Sequence, residues 1–282
     1  MAAGQLAELY LEACEIELQA FKPGNVSVYA GGHDMTVEDF RVSAKVSAKA
    51  LCNPALSLGE KIYHGVKATR EAVGCNTNLG VILLCAPLLQ AAFRCGRSLP
   101  LRESLRQVLN ETTIADAAFA FKAITLAAPG GLGAADEQDV ARSASVTLLE
   151  AMQMARDRDR IALQYCTAYK DIFDFAILRY NSRLNQWGLK KWAALAVYTG
   201  LLSRYSDSHI VRKYGDRYSS WVAEKMALLE EALEKSTNPE QLEPMLRGID
   251  QAFKSQGINP GTSADLTVAT VLAASLEDFY TD

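Results

Sequence analysis

The sequence has little histidine, and none of its cysteines sits in a metal-binding motif. Among 282 residues there are 3 histidines and 6 cysteines, and neither a CxxC pair nor an HExxH motif occurs. These absences argue against a zinc enzyme of the usual kind, because such sites need closely spaced cysteine and histidine ligands. The scattered cysteines instead predict reduced, mostly buried thiols in a cytoplasmic protein.

Long apolar runs and an excess of basic residues are also missing. The longest apolar run, from Leu79 to Phe93, has about 15 residues, fewer than the ~20 that span a bilayer. The 29 basic residues are outnumbered by 33 acidic ones, which gives a formal net charge of -4. We therefore expect neither a membrane nor a nucleic acid as partner. A polyanionic small molecule would need a metal ion or a local group of basic side chains.

The common nucleotide-binding motifs do not occur. The chain has no GxxxxGK[ST] loop, no GxGxxG fingerprint and no GxSxG turn. The glycines at 130–133 do not fit the dinucleotide pattern, and no predicted strand precedes them. A bound nucleotide therefore requires a less common kind of site.

Alternating β-branched residues, the mark of strands, are almost absent. Val26–Tyr29 is the only candidate strand, while alanine and leucine dominate the rest of the chain. No linker rich in proline, glycine and serine divides the sequence, and no repeat recurs at a fixed period. The sequence predicts an all-α fold, a single-domain multi-helix bundle over residues 1–282.

The predicted helices follow apolar residues at the 3.6-residue period, and several begin at capping boxes opened by Thr36, Ser57 and Thr147. They are predicted over 4–21, 36–50, 57–73, 81–95, 112–127, 147–165, 171–181, 189–203, 219–235, 240–256 and 263–276.

Six polar segments, most of them with glycine, interrupt the helices. They are 22–25, 31–35, 74–80, 129–133 with Asp136 and Asp139 following, 206–209 and 259–265. Helix N-termini carry free N–H groups and a partial positive charge, so several such segments meeting at one end would bind phosphates. The carboxylates among them suit Mg²⁺, which takes one or two carboxylates together with phosphate oxygens and water.

Several of these features have structural interpretations that stay open. Asp265 lies three residues after Thr262 and fits a capping box equally well. The segment 22–25 is an adequate ordinary turn. The alternating charges of 156–160 predict a solvated helix face with salt bridges.

Taken together, four segments resemble the triphosphoribosyl-dephospho-CoA synthase family, which makes the prosthetic-group precursor of citrate lyase and malonate decarboxylase. The family patterns KPG…GxHxDM, NTHKG, DTN…RxG and SPGGSADLLA occur in this order over about residues 22 to 270. The matching residues are Lys22-Pro23-Gly24 with Gly32-His33-Asp34-Met35, Asn76-Thr77-Asn78-Leu79-Gly80, Asp207-Ser208-His209 with Arg212 and Gly215, and 259–267.

The chain departs from the family pattern at three places. One residue fewer separates His33 from Asp34 than the pattern requires. Asn78-Leu79 replaces His-Lys, which removes a histidine and a lysine able to contact phosphate, and Ser208-His209 replaces Thr-Asn. The segments 129–133 and 147–165 resemble the branch found in methanogenic archaea and methylotrophic bacteria. Members of that branch accompany tetrahydromethanopterin, a one-carbon cofactor, so the resemblance says less about the acceptor than about the fold.

The resemblance implies that a hydroxyl of dephospho-CoA attacks the ribose anomeric carbon of ATP, which releases adenine and retains the triphosphate, with Mg²⁺ bound to the phosphates. Carboxylates would stabilise the oxocarbenium-like transition state, and a base would take the hydroxyl proton. The implied catalytic residues are His33, Asp34, Asp207, His209 and Asp265. The implied metal ligands are Asp34, Asp207 and Asp265. The implied substrate contacts are Lys22, Gly24, Asn76, Thr77, Asn78, Arg212, Gly261 and Ser263.

Three hypotheses on function remain open at this point. The first is the family reaction with ATP and dephospho-CoA as small-molecule substrates. The second is ribosyl or phosphoribosyl transfer to another acceptor hydroxyl in tetrahydromethanopterin synthesis. The third is a nucleotide-binding or scaffold protein without turnover, because a fold does not fix a function. A homodimer is compatible with each of them.

Overall fold

The computed structural model describes residues 2–31, 35–95, 99–128 and 144–281, and no strand occurs in these ranges. The helices are α1 (Ala3–Gln19), α2 (Val37–Leu51), α3 (Leu58–Val73), α4 (Leu79–Arg94), α5 (Leu101–Asn110), α6 (Ile114–Ala127), α7 (Leu148–Ala155), α8 (Arg160–Thr167), α9 (Ile177–Trp187), α10 (Lys190–Arg204), α11 (Ser208–Tyr214), α12 (Ser219–Lys235), α13 (Glu243–Ser255) and α14 (Gly261–Thr281). A π-helical turn, Ile172–Ala176, precedes α9. The predicted all-α fold is confirmed.

Three helices that are apolar on every side form the centre. In α4 the residues Val81–Leu89 are buried without a break, and in α10 the same holds for Trp192–Leu202. A helix that is hydrophobic all round is stable only inside the protein. Helix α14 packs against both, and also against α1. The N-terminal end of α14 is thereby fixed relative to the first turn of α4.

The remaining helices surround this centre on two sides. Helix α3 packs against both α2 and α6 beside α4, and α5 packs along α4. On the other side α9 and α12 pack against α10. The outer helices are amphipathic; α5, for example, buries Leu101, Leu105, Val108 and Leu109 and exposes its charged residues. Each therefore contributes one apolar stripe to the shared core.

The capping boxes predicted at Thr36, Ser57 and Thr147 are all present, with each side-chain oxygen accepting from the third residue of its helix. The single helix predicted over 147–165 is wrong. It divides into α7 and α8, because Asp159 accepts hydrogen bonds from the N–H groups of Ile161 and Ala162 and begins a new helix. The charged run 156–160 is therefore a helix break.

Two further details of local structure concern the candidate strand and two short helices. The candidate strand Val26–Tyr29 does not form, as the all-α prediction requires, since Ser27 and Ala30 share only an isolated bridge. Helices α5 and α11 were not predicted: α5 lacks a side-chain cap after Pro100, and α11 has only 7 residues.

Two further observations concern the cysteines and the helices long enough to be compared with a membrane span. None of the six cysteines takes part in a disulfide, and Cys14, Cys52 and Cys85 are buried. Within the described ranges, no helix combines the length and apolar composition needed to cross a membrane.

Candidate active site

A cavity of about 440 Å³ lies where α4 and α14 meet α1, α2, α6, α7, α8 and α11. One part of its wall is polar and is formed by Glu17, Asn25, Asn76, Thr77, Asn78, Asp159, His209, Arg212, Asn259, Thr262 and Asp265. Its lining also includes the apolar side chains of Phe40, Phe121, Ile124, Leu148 and Met152. The cavity therefore offers both polar and apolar contacts to a ligand.

Helix N-termini converge on the polar part. The first turns of α4, α8 and α14 line the cavity through Gly80, Ile161 and Gly261, and the short α11 contributes His209. The segments 74–80, 206–209 and 259–265, which are far apart in sequence, are thus brought together as expected. Because helix N-termini carry a partial positive charge, this arrangement favours an anionic ligand.

The loop before α4 is ordered by its own side chains. Asn76 accepts a hydrogen bond from the Leu79 N–H at 3.2 Å, and the Thr77 hydroxyl donates to the Ser43 hydroxyl at 2.6 Å. The Asn78 amide lies 3.4 Å from the Ser47 hydroxyl. All three loop residues line the cavity. These contacts to α2 hold the loop so that the first turn of α4 faces the cavity.

Asp265 is the carboxyl group that the cavity leaves without a partner. It lies in the second turn of α14, lines the cavity and accepts no hydrogen bond in the part of the chain that the structure describes. Burial raises its pKa well above the usual value, and the charges of Glu17 and Asp207 raise it further, while Arg212 acts in the opposite direction. Because α14 begins at Gly261, Thr262 is not the N-cap residue and the capping-box interpretation does not apply.

Gly80 makes room for this carboxyl group. A Cβ atom on Gly80 would overlap the Asp265 carboxyl, lying 2.5 Å from its Cγ and 2.9 Å from the Ile161 Cδ1. The glycine at this position thus lets α14 approach the first turn of α4 closely.

We expect Gly80→Ala to lower kcat/KM at least tenfold and to destabilise the protein by ~1–3 kcal/mol, because the carboxyl must move out of its position. Gly248→Ala in α13 is the matched control, since nothing lies within 4 Å of its added Cβ. That control is expected to keep full activity and to be slightly more stable, because alanine favours helix over glycine. Equal activity of the two variants would show that the position of Asp265 does not matter.

Glu17 is a cavity residue that was not predicted from the sequence. It is 6% exposed, and its Oε1 lies 3.1 Å from the Lys22 Nζ. Burial raises the pKa of Glu17, and the Lys22 ammonium opposes that effect. The sequence feature that could have revealed Glu17 is its position on the apolar stripe of α1, between the buried residues Cys14 and Leu18. An acidic residue on a buried stripe indicates a functional or paired carboxylate.

Lys22 and Gly24 were predicted to contact the substrate, but in the structure both make hydrogen bonds within the protein. The Lys22 ammonium is fully buried and donates to the carbonyl oxygens of Glu17 and Val26, each at 2.8 Å. The Gly24 N–H donates to the Asp250 Oδ1 at 2.8 Å, and its φ of +82° favours glycine. Neither residue lines the cavity, which supports the ordinary-turn interpretation for these two residues, whereas Asn25 does line it.

Asp207 and Ser263 also differ from their predicted roles. The Asp207 Oδ1 accepts from the N–H groups of His209 and Ile210, and its Oδ2 accepts from both the N–H and the hydroxyl of Ser263 at 2.8 Å. Four donors occupy the acceptor positions of a carboxylate, so none is left for a metal ion. The prediction of Asp207 as metal ligand does not fit this geometry. The residue instead fastens the start of α11 to the start of α14.

We therefore expect Asp207→Ala to lower the free energy of unfolding by about 2–4 kcal/mol, since it removes a helix cap and leaves buried donors unsatisfied. Urea denaturation followed by circular dichroism measures this. Asp207→Asn should lose less, because its one carbonyl oxygen can still cap α11. An alanine variant as stable as the parent would contradict the fastening role.

His209, Gly261 and Arg212 line the cavity. His209 and Gly261 face each other closely: a Cβ on Gly261 would lie 2.5 Å from the His209 Nδ1. The predicted residues His33 and Asp34, as well as Asp136 and Asp139, lie outside the described residues. Met35, which follows the first pair, lines the cavity.

The predicted magnesium ion fits the described residues only in a limited way. No group of three or more histidine, cysteine, aspartate or glutamate side chains suited to a metal occurs among them. Asp207 is occupied, Glu17 is paired with Lys22, and Asp265 is the carboxyl that faces the cavity without a partner. One carboxylate suffices for Mg²⁺ when phosphate oxygens and water supply the other ligands.

Carboxyl groups and helix N-termini around one cavity are features of a binding site for an anionic small molecule. The chain belongs to the CitG family, the ATP:dephospho-CoA triphosphoribosyl transferases, whose sequence model matches residues 3–281. It is a transferase of this family, and the resemblance deduced from the four motifs is confirmed.

A crystal structure shares the fold. It is that of a protein from Archaeoglobus fulgidus provisionally named triphosphoribosyl-dephospho-CoA synthase, with a TM-score of 0.66 and 24% sequence identity over 83% of this chain and 97% of that chain. At this identity the likeness concerns the fold alone. No curated protein matches the chain. The branch associated with methanogens and methylotrophs stays a prediction.

Proposed function

We propose that the protein transfers the triphosphoribosyl group of ATP to a hydroxyl of dephospho-CoA and releases adenine. The observation that carries this proposal is the position of Asp265 beside converging helix N-termini in one cavity, where its carboxyl has a raised pKa and no hydrogen-bond partner among the described residues. Helix N-termini suit the binding of a triphosphate, and a carboxyl group suits the charge stabilisation and proton transfer of a glycosyl transfer. Family membership supports the same reaction.

The triphosphate would lie at the first turn of α4. Leu79 donates to Asn76, and Ile82 donates to the carbonyl of Asn78, whereas Gly80 and Val81 have no acceptor for their N–H groups within the described ranges. Arg212 adds a guanidinium on the same part of the wall. Free N–H groups with a nearby arginine are a common arrangement for phosphate oxygens.

Mg²⁺ would reduce the negative charge of the triphosphate, which suits a protein with a net charge of -4. Phosphate oxygens and water would supply the ligands of this ion, since Glu17 and Asp159 are paired and Asp265 is taken as the proton acceptor.

The chain's own residues would carry out the proton transfers. The ionised Asp265 accepts the proton of the attacking hydroxyl while the new oxygen–C1′ bond forms and the C1′–N9 bond of ATP breaks. His209 donates a proton to the departing adenine, which lies against the apolar wall of Phe121, Ile124 and Met152. A raised pKa suits Asp265 to this task, because a base works best when its pKa approaches the ambient pH.

A second candidate function has one observation in its favour. Leu79 lines the cavity where the family pattern has lysine, so a cation that could contact phosphate is replaced by an apolar side chain. This change suits an acceptor with less phosphate than dephospho-CoA, such as the hydroxyl of a precursor of tetrahydromethanopterin. The ATP half of the reaction would be the same.

Chromatography of free adenine formed from ATP and Mg²⁺, with and without dephospho-CoA, separates the candidates. Adenine that forms only with dephospho-CoA supports the proposed reaction. Slow formation in both samples indicates transfer to water and favours another acceptor, which a screen of hydroxylated pterin precursors would identify. No adenine with any acceptor would overturn both candidates.

A further inference from the structure

The carboxylate of Asp159, at the break between α7 and α8, makes two different sets of contacts. Its Oδ1 accepts from the N–H groups of Ile161 and Ala162 at 2.9 and 3.1 Å, and so caps α8. Its Oδ2 accepts from the Nη1 of Arg212 at 2.7 Å, across a separation of 53 residues. Asp159 and Arg212 both line the cavity, with side chains 26% and 24% exposed.

Arg212 has a donor that the described protein does not use. Its Nε is buried and has no hydrogen-bond acceptor in the described ranges. Buried donors are nearly always satisfied, so this one calls for an explanation. Because a guanidinium is planar and rigid, the bond between Nη1 and Asp159 also fixes the direction of the Nε–H. A bound anion at the cavity wall would supply the missing acceptor.

We propose that Asp159 is a positioning residue, which holds the Arg212 guanidinium so that its Nε edge meets a phosphate group of the substrate. The inference rests on the proposed function, since it takes the triphosphate as the ligand of this wall. Two parallel N–H···O bonds from one guanidinium are stronger and more directional than a single contact. Asp159 acts through Arg212 and does not itself contact the reacting atoms.

The two tasks of Asp159 can be separated by one substitution. Asparagine caps a helix about as well as aspartate does. It has only one carbonyl oxygen, however, so it cannot both cap α8 and accept from Arg212 through separate oxygens. Asp159→Asn therefore keeps the cap and removes the charged partner of Arg212.

The test is titration calorimetry with inorganic triphosphate and Mg²⁺ as the probe, using the full chain, Asp159→Asn, Arg212→Ala and the double variant. We expect Asp159→Asn to weaken triphosphate binding at least tenfold with little change in melting temperature. In the Arg212→Ala background the same substitution should have no further effect, because its action passes through Arg212. The KM for ATP should rise with a smaller change in kcat.

Asp116→Asn is the matched control, since the Asp116 carboxylate completes the capping box of α6 by accepting from the Thr113 N–H and does not line the cavity. Its triphosphate affinity should equal that of the parent. Unchanged or tighter binding by Asp159→Asn, or an equal loss in the Arg212→Ala background, would overturn the positioning role while leaving the proposed function intact. A parent protein that does not bind triphosphate would overturn both.

Discussion

Asp265→Asn is expected to lower kcat about 10²–10⁴-fold, the usual contribution of a positioned proton-transfer group. Asparagine has nearly the same shape, so the cavity and the contact with Gly80 are retained while the proton acceptor is lost. In the parent protein, activity should rise as the pH rises through the pKa of Asp265, because the ionised carboxylate is the proton acceptor. This rise should occur at a higher pH than for an ordinary aspartate, since the pKa of Asp265 is raised. A discontinuous adenine assay across pH measures both effects.

The same variant is expected to be more stable than the parent at neutral pH. A carboxyl whose pKa is higher in the folded than in the unfolded chain opposes folding once the pH exceeds the unfolded value, since only the unfolded chain then ionises freely. Asparagine removes that opposition, so the melting temperature should rise near pH 7 and change little below pH 4. Gain of stability with loss of activity is typical of functional residues.

Asp116→Asn serves as the contrast for this prediction. The Asp116 carboxylate accepts from Gly59 and from both the N–H and the hydroxyl of Thr113, so asparagine there should reduce stability and leave turnover near the parent value. If Asp265→Asn turned over ATP at the parent rate, or lost stability as Asp116→Asn does, Asp265 would not be the proton acceptor.

Lys22→Met is expected to destabilise the protein by about 3–5 kcal/mol, because it leaves the Glu17 carboxylate buried without its partner. It also removes the donor to the carbonyl oxygens of Glu17 and Val26. The loss should be larger at pH 8 than at pH 5. Without Lys22 the pKa of Glu17 rises further in the folded chain, and stability then falls as the pH rises above the unfolded value.

The double variant Glu17→Gln with Lys22→Met tests the cause of that loss. Removing both charges should recover part of the stability and most of its pH dependence. Denaturant unfolding at both pH values measures the coupling. A Lys22→Met protein as stable as the parent would mean that the ammonium is available for substrate, as the family motif implied.

Most helices could be predicted from the sequence, because the periodic spacing of apolar residues and the capping residues are local properties of the chain. Thr36 and Ser57 begin helices as their capping boxes require. The missed α5 carries a clear apolar period at Leu101, Leu105 and Val108, so its signal was present. Helix α11 is different, since 7 residues are too few for a period and its cap, Asp207, was interpreted as a functional group.

The site was predicted less completely, because the roles of its charges depend on distant partners. The convergence of 74–80, 206–209 and 259–265 followed from the motifs. That Asp207 binds Ser263, and that Lys22 turns inward to Glu17, is decided by how α1, α11 and α14 pack. Asp159 was hidden for the same reason, since an alternating charge run looks identical whether or not one of its members caps a helix.

The most direct test of the central claim follows the ribose. ATP labelled with ¹³C in the ribose would be incubated with dephospho-CoA, Mg²⁺ and either the parent protein or Asp265→Asn, and the products weighed by mass spectrometry. In the sample with the parent protein alone, we expect unlabelled free adenine and a dephospho-CoA that has gained the labelled ribose with its three phosphates. Label that stays joined to adenine, as in ADP or AMP, or equal transfer by Asp265→Asn, would contradict it.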